Sequence, residues 1–196
     1  MKTITRIFAL FIVCLTYGQQ GSSNNDGLFQ HWTLGIKAGG NLSVLFGDLG
    51  DDKQVVYPNA HFGGVADRTI NEEWAIALEP HISIVGRRQS VGRERITYLN
   101  IPVLAKYQLP NNLTVDGGLH LGVKVAEFRE ADNPMERYKT MAPGITLGTT
   151  YSFNKNWFTQ FRLNYKISDV IRDDAGDTEG TSILVFQVSV GYTFGK

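Results

Sequence analysis

Residues Trp32 to Val44 alternate without interruption. Leu34, Ile36, Ala38, Gly40, Leu42 and Val44 share one parity; Thr33, Gly35, Lys37, Gly39, Asn41 and Ser43 share the other. A period of two puts the first set on one face of a β-strand and the second on the opposite face. Seven further stretches repeat the pattern, at about 57–70, 74–85, 95–109, 113–127, 140–153, 157–168 and 182–194. The joints between them alternate short (71–73, 110–112, 154–156) and long (about 46–56, 86–94, 128–139, 169–181). Eight strands with one rim of tight turns and one of long loops predict an all-β fold, an eight-stranded antiparallel up-and-down barrel.

The residue types on the two faces say where such a barrel stands. One face carries the large apolar side chains, from Leu34 and Ile36 to Val188 and Val190. The other carries Gly, Ser, Thr and amides together with Lys37, Glu79, His81, Lys106, Asp116, His120, Lys124, Arg162 and Lys166. A soluble sandwich or lipocalin would use the apolar face as its core. Here aromatic residues also gather at strand ends: Trp32, Trp74, Tyr107, Tyr151, Phe153, Trp157, Tyr192 and Phe194. Most of them sit beside short turns or chain ends, the place of an interfacial girdle. An apolar outside around a polar inside predicts a transmembrane barrel, with short turns and both strand-bearing ends in the periplasm and the four long loops outside.

The segment before the strands fits that destination. Lys2 and Arg6 form a positive start, Ile7 to Leu15 is apolar but short, and Thr16-Tyr17-Gly18 is a plausible cleavage sequence before Gln19. The expected division is a signal peptide at 1–18, a polar periplasmic tail at 19–31 and a barrel at 32–196. The single cysteine, Cys14, lies inside the signal, so neither a disulfide nor thiol chemistry is expected of the mature chain. Without Lys2 and Arg6, basic residues fall two short of the 19 acidic ones, a balance that gives no support for nucleic-acid binding.

Four segments resemble the PorT-like outer-membrane β-barrel family. They are Tyr98-Leu99-Asn100-Ile101-Pro102-Val103-Leu104-Ala105-Lys106-Tyr107, Gly35 to Ser43, Arg162 to Tyr165 with Ile167-Ser168-Asp169, and the closing Val190-Gly191-Tyr192-Thr193-Phe194. The seventh-strand segment lacks the family's glycine, with Lys166-Ile167 in its place, and Gly195-Lys196 extends past the usual terminal aromatic. The resemblance implies the fold and an outer-membrane location. It implies no specific function.

Eight strands leave an interior just wide enough for side chains to fill it. The inward charges are therefore expected to pair, with Glu79 and Asp116 as the acids for Lys37, Lys106, Lys124, Arg162 and Lys166. Glu79, His81 and Ser83 form an acid, base and hydroxyl on one strand face, which raises a lipid-modifying enzyme as a reading. That face points away from lipid, however, and neighbours at i and i+2 stand about 7 Å apart, so a structural role is expected and no enzyme. The acidic stretch 169–180 does not follow the spacing of a calcium loop, and no metal or cofactor is expected. Arg87, Arg88 and Arg93 suit phosphate, so the second long loop is a candidate for lipopolysaccharide contact. The expected role is structural or surface-interacting through the four loops, with a narrow small-solute pore as the alternative. The expected partners are outer-membrane lipid and lipopolysaccharide, the barrel-assembly machinery, and an unidentified envelope or surface protein.

Overall fold

The computed structural model describes residues 32–46, 57–89, 92–129, 136–138, 140–167, 171–173 and 182–194. The chain forms β1 (Trp32–Phe46), β2 (Tyr57–Thr69), β3 (Trp74–Leu78), β4 (His81–Gln89), β5 (Gly92–Leu109) and β6 (Leu113–Arg129). It continues with β7 (Glu136–Tyr138), β8 (Met141–Ser152), β9 (Trp157–Lys166), β10 (Ile171–Asp173) and β11 (Ser182–Phe194). Each long strand pairs antiparallel with its neighbours in sequence, and β1 pairs with both β2 and β11, which closes the ring. The short β7 and β10 pair only with each other, outside that ring.

β3 and β4 act as one strand of the barrel. Leu78 pairs with Val103 of β5 and His81 with Asn100, so the register does not slip between them. The interruption is chemical: Pro80 has no N–H to give the ladder. Its carbonyl still accepts from Gly64 N at 2.8 Å, and Glu79 N donates to Pro102 O at 3.2 Å. Counted this way, eight strands close the barrel.

The three tight turns all lie at one end. Asn71 Oδ1 accepts from the backbone N–H groups of Glu73 and Trp74, and Asn154 Oδ1 does the same for Asn156 and Trp157. Each is a side-chain-closed turn leading into a tryptophan. Between β5 and β6, Asn111 and Asn112 take φ values of 64° and 61°, a region asparagine tolerates better than most side chains.

The face alternation holds around the ring. Leu42, Phe62, Ile76, Ile82, Val103, Leu119, Leu147, Phe161 and Val188 all point outward and are exposed. A band of large apolar residues on every strand is far beyond what a soluble surface carries and fits a lipid-facing belt. Aromatic rings pack together at the short-turn end, Trp74 on Tyr107 at 4.9 Å, Trp157 on Tyr192 at 5.2 Å and Tyr151 on Phe153 at 5.5 Å between centroids.

The structure alters three expected boundaries. The second long loop is not a loop from 86 to 94, because β4 runs to Gln89 and β5 starts at Gly92. β9 ends at Lys166, and β6 extends to Arg129. β6 also carries an irregularity: Thr97 pairs with Ala126 but Tyr98 with Lys124. Val125 is thus an extra residue, a bulge that shifts the parity of everything after it.

Candidate functional site in the barrel interior

The interior is layered along the barrel axis. At the short-turn end a cavity of about 110 Å³ is lined by Thr33, Asp67, Gln108, Lys106 and Thr114, among others. Here Lys106 Nζ donates to Asp67 Oδ1 and Oδ2 at 2.8 and 3.0 Å. Deeper in, accessibility falls away: the Asp67 side chain is 21% exposed, Lys106 8% and Glu79 0%.

Glu79 is the hub of the next layer. Its Oε2 meets Lys37 Nζ at 2.6 Å and Arg162 Nη1 at 2.7 Å, and its Oε1 meets Lys106 Nζ and Arg162 Nη2, each at 2.8 Å. Arg162 reaches on to Asp116, Nε to Oδ1 at 3.1 Å, and Lys37 donates a second bond to Gln160 Oε1 at 2.9 Å. Three acids thus face three bases, and the cluster is neutral. Alternation explains how six residues from β1, β2, β5, β6, β9 and the joint between β3 and β4 converge: each has inward parity at a similar height.

A layer of amides, hydroxyls and imidazoles follows. Asn41 Nδ2 donates to Ser83 Oγ at 2.7 Å, Gln187 Nε2 to Asn41 Oδ1 at 3.2 Å, and Asn164 Nδ2 to Gln187 Oε1 at 2.7 Å. His61 bridges Asn41 Oδ1 at 2.5 Å and Ser189 Oγ at 2.7 Å. Thr146 Oγ1 donates to Asn164 Oδ1 at 2.7 Å and lies 3.0 Å from His120 Nδ1. Toward the long-loop end, Val85, Ile96, Tyr98, Ala142, Ile183 and Val185 form a buried apolar cluster.

Most of the expected interior residues are where the alternation puts them, but their pairing differs. Lys37, Lys106 and Arg162 do meet Glu79, and Asp116 meets Arg162. Lys124 pairs with neither acid; its Nζ lies 2.6 Å from Glu127 Oε2. The bulge at Val125 is the reason, since it returns Glu127 to the inner face, three positions from Lys124. Lys166 also meets neither acid, and packs instead over the Tyr98 ring. Asp67 and His61 belong to the network although the expected set omits them. Both have inward parity on β2, opposite the outward Ala60, Phe62 and Ala66.

The Glu79, His81 and Ser83 group does not assemble as a triad. His81 Nδ1 bonds the Glu79 carbonyl at 3.0 Å, not its carboxylate, and Ser83 Oγ accepts from Asn41. The carboxylate, the imidazole and the hydroxyl are all buried inside the barrel, away from the apolar outer face. The side chains of Arg87, Arg88 and Arg93 and most of the acidic stretch 169–180 lie outside the described residues; the backbone register places Arg88 opposite Arg93 and Arg87 opposite Glu94. Among the described residues no group of His, Cys, Asp and Glu has the arrangement of a metal site.

The profile of the family described as outer membrane protein beta-barrel domain matches residues 19–172. No protein curated for function matches the chain in sequence. Among solved structures, Ail, the attachment invasion locus protein of Yersinia pestis, superposes with a TM-score of 0.54 at 12% identity, over 84% of this chain and 100% of that one. The same protein in complex with the heparin analogue sucrose octasulfate gives 0.52 at 12% identity, again over 84% and 100%. Neisserial surface protein A (NspA) gives 0.56 at 11% identity, over 82% and 97%.

Proposed function

The chain belongs to the outer membrane protein β-barrel domain family and is an outer-membrane β-barrel; from that premise we propose that it is a sealed, non-enzymatic post that presents its loops at the cell surface. The observation that carries this reading is the filled interior. The Glu79 cluster occupies the middle of the barrel, and the apolar layer of Val85, Ile96, Tyr98, Ala142, Ile183 and Val185 lies above it. A hydrated path would have to pass both groups of packed side chains. With a filled interior and no assembled triad among the described residues, this reading assigns partner contact to the loops.

Under this reading the chain is a PorT-like member, exported by a signal cleaved between Gly18 and Gln19 and inserted by the barrel-assembly machinery. The partner chemistry is anionic. The hairpin of β4 and β5 brings Arg87, Arg88 and Arg93 to one strand end, and guanidinium groups suit the phosphates of lipopolysaccharide. Ail, which shares the fold, is described in complex with a sulfated heparin analogue, a ligand of related charge.

Purified protein in planar bilayers is the test. The expected result is no stable conductance step. Reproducible steps that change with Arg162→Ala would replace this reading with a narrow pore. On the surface side, Arg88→Ala with Arg93→Ala is expected to weaken binding of purified lipopolysaccharide without altering folding.

A further inference from the structure

The charges facing the barrel interior balance except at one residue. Among the described residues Lys37, Lys106 and Arg162 stand against Asp67, Glu79 and Asp116, and Lys124 stands against Glu127. Lys166 is left over. It is 2% exposed, and its Nζ has no hydrogen-bond partner among the described residues. The Tyr98 ring face lies 3.3 Å from it. An aromatic face attracts an ammonium but does not neutralise it.

The packing beside it turns on a glycine. His120 and Lys166 flank Gly144, which pairs with both across β6, β8 and β9. A Cβ on Gly144 would collide with His120 Cε1 and Nε2, so the glycine is what lets the imidazole lean across β8. His120 Nε2 is likewise buried without a partner. A cavity of about 10 Å³ lies among Lys166, His120, Asn100, Asn164 and Ser83, with no carboxylate in its wall. That is the room of one water or one monatomic ion.

We propose that this cavity is a binding site for a single monatomic anion of the halide class, held by the Lys166 ammonium with the Ser83 hydroxyl as a further donor. Ser83 Oγ accepts from Asn41, which leaves its own O–H free to donate. Charge selects the occupant. A water could accept from Lys166 and donate to His120 Nε2, but Lys166 would then either stay a buried cation without a counter-charge or give up its proton. A halide brings the interior to neutrality.

The experiment uses sodium bromide as the probe on the refolded barrel. In crystals soaked in bromide, an anomalous peak is expected in contact with Lys166 Nζ and absent from Lys166→Met. In solution, the urea midpoint of the wild type is expected to rise with bromide over sodium gluconate of equal ionic strength. The rise should vanish in Lys166→Met, or in Lys166→Gln if the methionine variant does not fold. Non-anomalous density in the cavity at saturating bromide would mean water and overturn the proposal. So would bromide found on the outer surface alone, or an equal bromide response in both Lys166 variants.

Discussion

Replacing Glu79 by glutamine keeps the shape of the side chain and removes one charge from the centre of the barrel. The wild-type carboxylate answers Lys37, Lys106 and Arg162 at once, with contacts of 2.6 to 2.8 Å and no solvent access. The three bases are not equally exposed to its loss. Lys106 keeps Asp67 and Arg162 keeps Asp116. Lys37 keeps only the neutral Gln160 oxygen. Removing one partner of a buried ion pair costs about 3–5 kcal/mol, because the other charge stays buried without compensation. The amide retains one acceptor oxygen, so Glu79→Gln is expected near 3 kcal/mol and Glu79→Ala toward 5 kcal/mol, both read on that same scale. Most of the loss should sit on Lys37. In a Lys37→Met background the further cost of Glu79→Gln is expected to shrink, with a coupling of about 1–3 kcal/mol. Urea titration of the refolded barrel in lipid vesicles, followed by tryptophan fluorescence, measures the three single variants and the double one. Strict additivity of Lys37→Met and Glu79→Gln, or a loss under about 0.5 kcal/mol for Glu79→Gln, which is the range of a surface substitution, would refute the assignment of Glu79 as hub.

The protein is expected to fractionate with the outer membrane, to migrate differently on gels with and without heating, and to begin at Gln19 by terminal mass analysis; recovery from the soluble periplasm would contradict the assignment. Gly144→Val should cost about 1–3 kcal/mol by overpacking or prevent refolding, because the new Cβ meets the Tyr165 carbonyl and the His120 ring. Gly40→Ala should change little, since its nearest neighbour would be the Asn59 carbonyl at 3.8 Å, and urea titration compares the two. His81→Ala and Ser83→Ala should leave the acylation pattern of lipid A unchanged by mass spectrometry; a change with the barrel still folded would revive the enzymatic reading.

Strand parity made most of the fold legible, since a period of two sorts each residue inward or outward before any coordinate is known. It turns Lys37, Glu79, Arg162 and Lys166 inward, and all four side chains are buried. What parity lacks is height and pairing. Asp67 and His61 lie on the strand with the faintest apolar pattern, where Gly63 and Gly64 weaken the alternation. Their inward parity was readable from Ala60 and Phe62. The Lys124–Glu127 pair was not readable, because the two differ in parity and only the bulge at Val125 brings them to one face. Pro80 was visible as a missing ladder donor, whereas the continuity of register across it required the pairing of Leu78 and His81 with β5. The apolar layer escaped notice for a different reason. Val85, Ile96, Ala142, Ile183 and Val185 come from four separate strands, and no local stretch of sequence shows that they meet.

That layer also explains why so charged an interior is tolerable. Buried ion pairs lose desolvation energy that their attraction recovers only with close geometry and full hydrogen bonding. The Glu79 carboxylate meets the first condition closely, with each of its two oxygens contacted by two cations. Water can approach it from the short-turn end, where Asp67 remains partly exposed. From the opposite end the apolar side chains hold water back. Neutrality within the cluster then follows from its position, because a net charge there would be buried inside a lipid belt. Lys166 stands at the height of that layer, paired with Ile183 and packed against Tyr98, and a proton held there calls for a counter-charge that no described side chain supplies.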